Sequence, residues 1–110
     1  MPLYMTQFSY TKEAWALLTK RPEDRGAVFK KLVEALGGRL LNIYYCMGDY
    51  DGVVIYEVPD NVIAIATVMT AITPGHLKAI KTTVLFTMDE AVEAMAKAGR
   101  LAYRGPKAFD

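Results

Sequence analysis

The feature that most constrains the fold is a pair of apolar segments separated by a glycine-rich turn. Residues 39–47 and 53–58 are rich in β-branched and aromatic side chains, which is typical of strands. Between them lies the string Gly48-Asp49-Tyr50-Asp51-Gly52. Glycine adopts positive φ without steric cost, and aspartate side chains accept hydrogen bonds from nearby backbone N–H groups in turns. The pattern therefore predicts a β-hairpin in the middle of the chain, with its glycines at positive φ.

Further strands and helices are predicted on both sides of this hairpin. Residues 2–10 and 77–88 have the composition of strands. Apolar spacing and end signals predict helices after Thr11, from Pro22 to Gly37-Gly38, over residues 62–72, and over residues 90–98 with Asp89 as the cap. The order is β-α-β-β-α-β plus a terminal helix. It predicts an α+β, ferredoxin-like domain whose four-stranded antiparallel sheet carries both main helices on one face.

Apolar side chains are predicted on both faces of that sheet. In the first strand Leu3 and Met5 point away from Tyr4 and Phe8. An antiparallel sheet with one face in water alternates more cleanly between apolar and polar residues. The second face is therefore expected to be covered, either by the terminal helix or by another subunit, and we expect a homodimer or a higher homo-oligomer. The helix over residues 62–72 is apolar nearly all round, so it is expected to be buried on more than one side.

Length, charge and cysteine content narrow the class of protein. The 110 residues fit a single domain over residues 1–99 with a C-terminal tail over residues 100–110. The net charge is +1 without a basic block, so nucleic acid is not an expected partner. The longest apolar run, residues 62–72, is far shorter than the ~20 residues that span a bilayer, so no membrane partner is expected. A single cysteine, Cys46, fits a reducing compartment and predicts a cytoplasmic protein.

The residues around the hairpin resemble those of a known family. The string Cys46-Met47-Gly48-Asp49-Tyr50-Asp51-Gly52-Val53-Val54 is similar to the signature of the GYD-domain family, whose name comes from a Gly-x-Tyr-Asp turn. Supporting strings are Phe8-Ser9-Tyr10-Thr11, Glu57-Val58-Pro59-Asp60-Asn61 and Lys81-Thr82-Thr83. The resemblance covers about residues 2–99. It implies a small bacterial or archaeal protein of the dimeric α/β-barrel type, from a family with no assigned biochemical role and no established catalytic residues.

Several polar and aromatic side chains are candidates for a ligand site. The hairpin tip is a structural turn in one interpretation and the polar rim of a pocket in the other. Polar strand residues either satisfy themselves at a sheet edge or interface, or converge with aromatic residues in a cleft between the sheet and its cover. The predicted ligand-binding residues are Gln7, Ser9, Asn42, Tyr44, Asp49, Tyr50, Asp51, Tyr56 and Lys81.

Evidence for catalysis in the sequence is limited to isolated residues. His76 is the only histidine, and its place after Pro74-Gly75 is typical of a turn residue; with Asp51 it is also a candidate general base. Cys46 has no basic neighbour, so we expect a small buried side chain and not a nucleophile. No metal site and no cofactor are predicted, because the sequence has no Cys/His ligand spacing, acidic metal loop or Gly-rich phosphate loop.

Two functions remain open from the sequence. The first is a non-catalytic oligomeric module that binds a small organic ligand or a protein partner in the cleft between the sheet and its cover. The second is a cofactor-free enzyme, similar to an oxygenase or an isomerase, that acts on a hydrophobic substrate in the same cleft. The second rests on analogy with other dimeric α/β barrels, and a shared fold does not assign a function.

Overall fold

The computed structural model describes residues 1–107, and its strands form a four-stranded antiparallel sheet. The strands are β1 (Leu3–Tyr10), β2 (Arg39–Tyr45), β3 (Gly52–Glu57) and β4 (Leu77–Leu85), in the spatial order β2-β3-β1-β4. The helices are α1 (Lys12–Lys20), α2 (Arg25–Ala35), α3 (Asn61–Ile72) and α4 (Met88–Ala98). The predicted α+β, ferredoxin-like fold with an additional C-terminal helix is confirmed.

The start of α2 differs from the prediction, whereas its end does not. The helix begins at Arg25 and not at Pro22, because the Asp24 side chain accepts a hydrogen bond from the Ala27 backbone N–H at 3.2 Å and caps the first turn. At the other end Gly37 has a φ of +83°, a conformation that favours glycine and stops the helix as predicted.

The start of α4 is also earlier than predicted. Thr87, and not Asp89, is the N-cap, and it forms a capping box with Glu90. The predicted boundary was wrong because both residues are good caps, and only the reciprocal bond of Glu90 distinguishes them. As a result β4 ends at Leu85, three residues earlier than the pattern of apolar residues indicated.

The central hairpin is present, but its glycines have a different role from the predicted one. Neither Gly48 nor Gly52 is at positive φ. Gly52 instead lies against the Phe8 ring, where an added Cβ would sit 2.3 Å from the nearest ring carbon. Close packing therefore requires glycine at this position. Cys46, expected to be buried, is exposed because β2 ends one residue before it.

The strand register assigns the side chains to two faces. The helix-side face carries Tyr4, Thr6 and Phe8 of β1 and Val54 and Tyr56 of β3, all of them buried. Together with residues of α2 and α3 they form the main core, whose buried members are Tyr4, Val33, Val54, Tyr56, Val58 and Ala64. This face is therefore the interior of the domain.

The opposite face, here called the open face, has an apolar centre and a polar border. Its centre consists of Leu3, Met5, Val53, Ile55 and Leu85, which are half-buried. Arg39 and Glu57 pair at its border, with the Arg39 Nε 3.1 Å from a Glu57 carboxylate oxygen. The apolar alternation predicted for both faces is confirmed by the register.

Helix α4 leaves the open face uncovered. It has no buried residue, and the exposed fractions of Met88, Val92 and Met95 are 62% to 78%. The radius of gyration, 18.6 Å, is well above the ~13 Å typical of a compact domain of about 100 residues, and the longest dimension is 66 Å. Helix α4 therefore extends away from the sheet. Of the two covers that the sequence left open, another subunit is the one that remains.

Helix α3 is less buried than predicted. Within this helix only Ala64 and Thr67 are buried, and four apolar side chains on its outer side are exposed, namely Val62, Ile65, Met69 and Ile72. The expectation of burial on more than one side is therefore wrong for the single chain. Among the helices of residues 1–107, none has the length and apolar content needed to cross a bilayer.

The predicted C-terminal tail is described only in part. Residues 100–107 are exposed and follow the end of α4 without entering a further helix or strand. Residues 108–110, which belong to the same predicted tail, lie outside the described residues.

Candidate functional site

A cavity of about 340 Å³ lies between the helix-side face of the sheet and helices α2 and α3. Thr6, Phe8 and Val54 form its floor and are buried. Phe29 and Leu32 of α2 contribute to its apolar wall. The volume falls within the ~300–1,000 Å³ typical of small-molecule sites, and the predominance of apolar lining is also typical of them.

Arg25 is the charged side chain among the described residues that line this cavity. It is the first residue of α2, and its Nη1 donates a hydrogen bond to a Glu23 carboxylate oxygen at 2.7 Å. Both side chains are about half exposed, at 42% and 53%. Exposed ion pairs contribute only about 0–1 kcal/mol, so a bound anion can replace Glu23 as the partner of Arg25.

Tyr10 places a hydroxyl group beside Arg25. The Tyr10 and Tyr45 hydroxyl oxygens lie 3.1 Å apart, and burial, reinforced by this hydrogen bond, raises the pKa of Tyr10. The positive charge of Arg25 acts on that pKa in the opposite direction without reversing the shift. The Tyr10 hydroxyl therefore stays protonated at neutral pH and is able to donate or accept a hydrogen bond.

Asp51 of the Gly-x-Tyr-Asp turn holds Tyr10 in place. Its Oδ2 accepts hydrogen bonds from the Tyr10 backbone N–H at 2.9 Å and from the Trp15 Nε1–H at 3.2 Å. Its own backbone N–H donates to the Phe8 carbonyl at 2.8 Å. The rings of Tyr10 and Trp15 pack edge to face with centroids 5.0 Å apart. The motif therefore fixes the hairpin tip to β1 and α1 at the Tyr10 end of the cavity.

A second group of hydroxyls lies on the cavity floor. The Thr6 hydroxyl oxygen is 2.9 Å from the Tyr56 hydroxyl and 2.9 Å from the Thr82 hydroxyl. Burial raises the pKa of Tyr56, and the bonds with the two threonines oppose that rise. Because Thr6 lines the cavity and its partners are on neighbouring strands, this network presents a fixed polar group to a bound molecule.

The structure brings five of the predicted ligand-binding residues onto the open face. Tyr44, Gln7 and Lys81 lie in one row across the sheet, because Tyr44 and Gln7 both pair with Val53 and Gln7 also pairs with Lys81. Asn42 donates to the Tyr44 hydroxyl at 3.4 Å on the same face, and Ser9 follows Gln7 there. Their role in binding stays a prediction.

The other predicted residues are elsewhere. Tyr56 is fully buried in the core, and Asp49, Tyr50 and Asp51 belong to the hairpin tip. His76 is exposed in the turn before β4, where its carbonyl accepts the Thr11 N–H at 2.9 Å. Neither His76 nor Asp51 lines the cavity, so their catalytic roles stay predictions.

The sequence analysis missed the polar residues of the cavity, namely Thr6, Tyr10 and Arg25. Thr6 was detectable in principle, because it interrupts the apolar alternation between Tyr4 and Phe8. Arg25 was assigned to the solvent side of its helix, since the first turn of a helix gives little periodic signal. Among residues 1–107 no three acidic, histidine or cysteine side chains come together as metal ligands would.

The cavity and the four-stranded sheet define a small ferredoxin-like α+β domain with a ligand-sized space between its layers. The model of the GYD domain family matches residues 4–95 of the chain. The chain therefore belongs to the GYD domain family, which confirms the resemblance drawn from the hairpin.

Comparisons with solved structures agree with this fold. The crystal structure of MtbAldR is 13% identical with a TM-score of 0.57, covering 78% of this chain and 53% of that chain. The chain thus spans about half the length of MtbAldR. The crystal structure of TTHA0845 from Thermus thermophilus is 15% identical with a TM-score of 0.51, covering 79% of this chain and 95% of that chain. At these identities the likeness concerns the fold alone. The comparison with curated proteins found no match.

Proposed function

We propose that this protein is a small-molecule-binding module whose ligand occupies the cavity between the sheet and helices α2 and α3. The observation that carries the proposal is a cavity of about 340 Å³ with apolar walls and a single charged lining residue among those described, Arg25. The sequence led us to expect a cleft beneath a cover on the outer face of the sheet. The proposed site uses the helix-side face instead.

The lining favours a ligand with an apolar body and one anionic end. Phe8, Phe29 and Leu32 offer apolar contacts along the floor and wall. Arg25 offers a guanidinium, which binds carboxylates through two parallel N–H bonds, and the protonated Tyr10 hydroxyl lies on the same side. The proposed ligand class is therefore a medium-length aliphatic or aromatic carboxylate.

The test compares acids with their neutral counterparts. Octanoate and 4-phenylbutyrate are titrated into the protein by calorimetry and by thermal unfolding, with octanamide and 4-phenylbutyramide in parallel. We expect the acids to bind more tightly than the amides, because charge-assisted hydrogen bonds contribute ~1.5–3 kcal/mol. In Arg25→Gln the acids should lose about tenfold or more in affinity, while the amides change little.

Two variants control this experiment. Lys31→Gln removes the same charge from an exposed position of α2 and should leave the preference for acids intact. Ala71→Leu fills part of the cavity from α3, so it should weaken acids and amides alike while keeping or slightly raising the unfolding temperature. If Arg25→Gln retained the full preference for acids, or if Ala71→Leu bound both classes normally, the proposed site would be wrong.

The open face supports a second part of the proposal, self-association. It combines an apolar centre with a polar border that includes Arg39, Glu57 and Lys81, the arrangement found in protein interfaces. Two copies related by a two-fold axis would bury the same surface on each other. We propose a homodimer, with larger homo-oligomers built on it, that covers the open face in this way.

A further inference from the structure

Helix α3 presents an uncharged apolar stripe to solvent. Val62, Ile65, Met69 and Ile72 recur every three or four residues and share the outer side of the helix, with exposed fractions of 42% to 73%. The helix contains no Asp, Glu, Lys or Arg. A helix without a polar face is normally covered on both sides, and the sheet covers only the side that holds Ala64 and Thr67. The outer stripe therefore calls for a partner.

Helix α4 presents a second apolar stripe with similar spacing. Met88, Val92 and Met95 lie on one side, with exposed fractions of 62% to 78%. The opposite side carries Glu93 and Lys97, which pair at 3.4 Å. The polar side of α4 is thus complete in itself, and its apolar side has nothing to pack on in the described chain.

The connection before α4 keeps this helix away from its own α3. Only Phe86 and Thr87 separate β4 from α4, and Thr87 is extended, with φ −71° and ψ 161°. Two residues without glycine or proline make no chain reversal here, so the helix continues outward from the end of the strand. The stripe of α4 is therefore available to a second molecule.

We infer that α4 of one copy packs on the outer stripe of α3 in a second copy. Both stripes have the three-and-four spacing that lets side chains of one helix fit between those of another. Helices of 12 and 11 residues match in length, and docking leaves the charged side of α4 in water. Each chain supplies one α3 and one α4, so a two-fold exchange satisfies both stripes in a closed pair. This interface is separate from the open face.

Cross-linking tests the exchange directly. In a Cys46→Ser background, a chain with Ile65→Cys is mixed with a chain with Val92→Cys, and a short bismaleimide is added. The inference predicts a covalent dimer of the two different chains. A chain that carries both cysteines should also form covalent dimers. Closure of that double variant within one chain, cross-links only between two Val92→Cys chains, or no cross-link at all would overturn the inference.

A charge placed on the α4 stripe gives an independent test. Val92→Glu puts a carboxylate in the proposed contact, whereas Ala94→Glu adds the same charge to the exposed polar side of the same helix. We expect Val92→Glu to weaken association at least ~10-fold in sedimentation experiments, with an unchanged circular dichroism spectrum. Ala94→Glu should associate like the unmodified protein. Equal association of the two variants, or an unmodified protein that is monomeric at all concentrations, would overturn the inference.

Discussion

The two faces of the sheet are built from alternate residues of the same strands, yet they differ in what lies against them. On the helix-side face Val54 and Tyr56 are covered by α2 and α3 and belong to the main core. Their neighbours Val53 and Ile55 point to the open face and are only half-buried. Similar side chains thus contribute to folding on one face and remain available for association on the other. Apolar alternation alone does not reveal which face a domain keeps for itself.

The largest expected effect comes from a charge on each face in turn. Val54→Asp buries a carboxylate without a partner in the core, so we expect it to lower the free energy of unfolding by ~3–5 kcal/mol. Val53→Asp, one residue earlier, should leave the dilute single chain folded and abolish association through the open face. Urea unfolding measures the first effect and sedimentation the second. Equal loss of stability from both changes would remove the distinction between the faces.

A medium effect is expected at the hairpin tip, where the cavity side of the sheet is closed. Asp51→Ala removes the acceptor of the Tyr10 N–H and the Trp15 Nε1–H, and we expect a loss of ~1–3 kcal/mol. Asp49→Ala, at an exposed position two residues earlier, should change stability by less than ~0.5 kcal/mol.

Fluorescence sharpens this second comparison, because Trp15 is the only tryptophan. Its emission should shift to the red in Asp51→Ala and stay unchanged in Asp49→Ala. Similar losses of stability in the two variants would mean that Asp51 acts only as a turn residue, as the structural interpretation of the sequence held.

The smallest effect concerns α4, which lies outside the core. Hydrogen bonds from the backbone and then the side chain of Thr87 lower the pKa of Glu90 below its ordinary value of 4.5. A carboxyl whose pKa falls on folding stabilises the helix above its unfolded pKa, and this contribution is lost as the pH drops below 4.5 through the folded pKa. We therefore expect α4 to lose helicity in mild acid before the sheet does.

Site-resolved NMR titration of Glu90 measures this pKa, and the amide signals of α4 and the sheet report where structure is lost. Glu90→Gln keeps a hydrogen-bonding side chain without the titrating group, so it should remove the acid step in α4. A Glu90 carboxyl that titrates at or above 4.5, or simultaneous loss of α4 and the sheet, would contradict the assignment of α4 as a separate helix.

Local signals account for the parts of the fold that the sequence predicted well. Gly37 after an apolar helical pattern marked the end of α2, and the glycine-rich turn marked the hairpin. The errors lie where two residues compete for one role. Asp24 and Thr87 cap their helices in place of the predicted starts, because a cap depends on one hydrogen bond that composition does not specify.

The candidate site was much less accessible from sequence. Gln7 and Lys81 were identified as polar strand residues, but their shared row on the open face depends on the register between β1 and β4. Arg25 and Thr6 come from different elements, α2 and β1, and only the packing of α2 over the sheet brings them to one cavity. Such long-range placement leaves little trace in local patterns.

The sequence by itself determined the order of the strands and helices, the antiparallel hairpin and the apolar character of both sheet faces. Those properties follow from local turn chemistry and from side-chain periodicity, which act over a few residues. The tertiary structure alone decided that α2 and α3 enclose a cavity while α4 extends away from the open face. Register and layer packing depend on contacts between residues far apart in the chain, and they determine which apolar surfaces remain for ligands and other subunits.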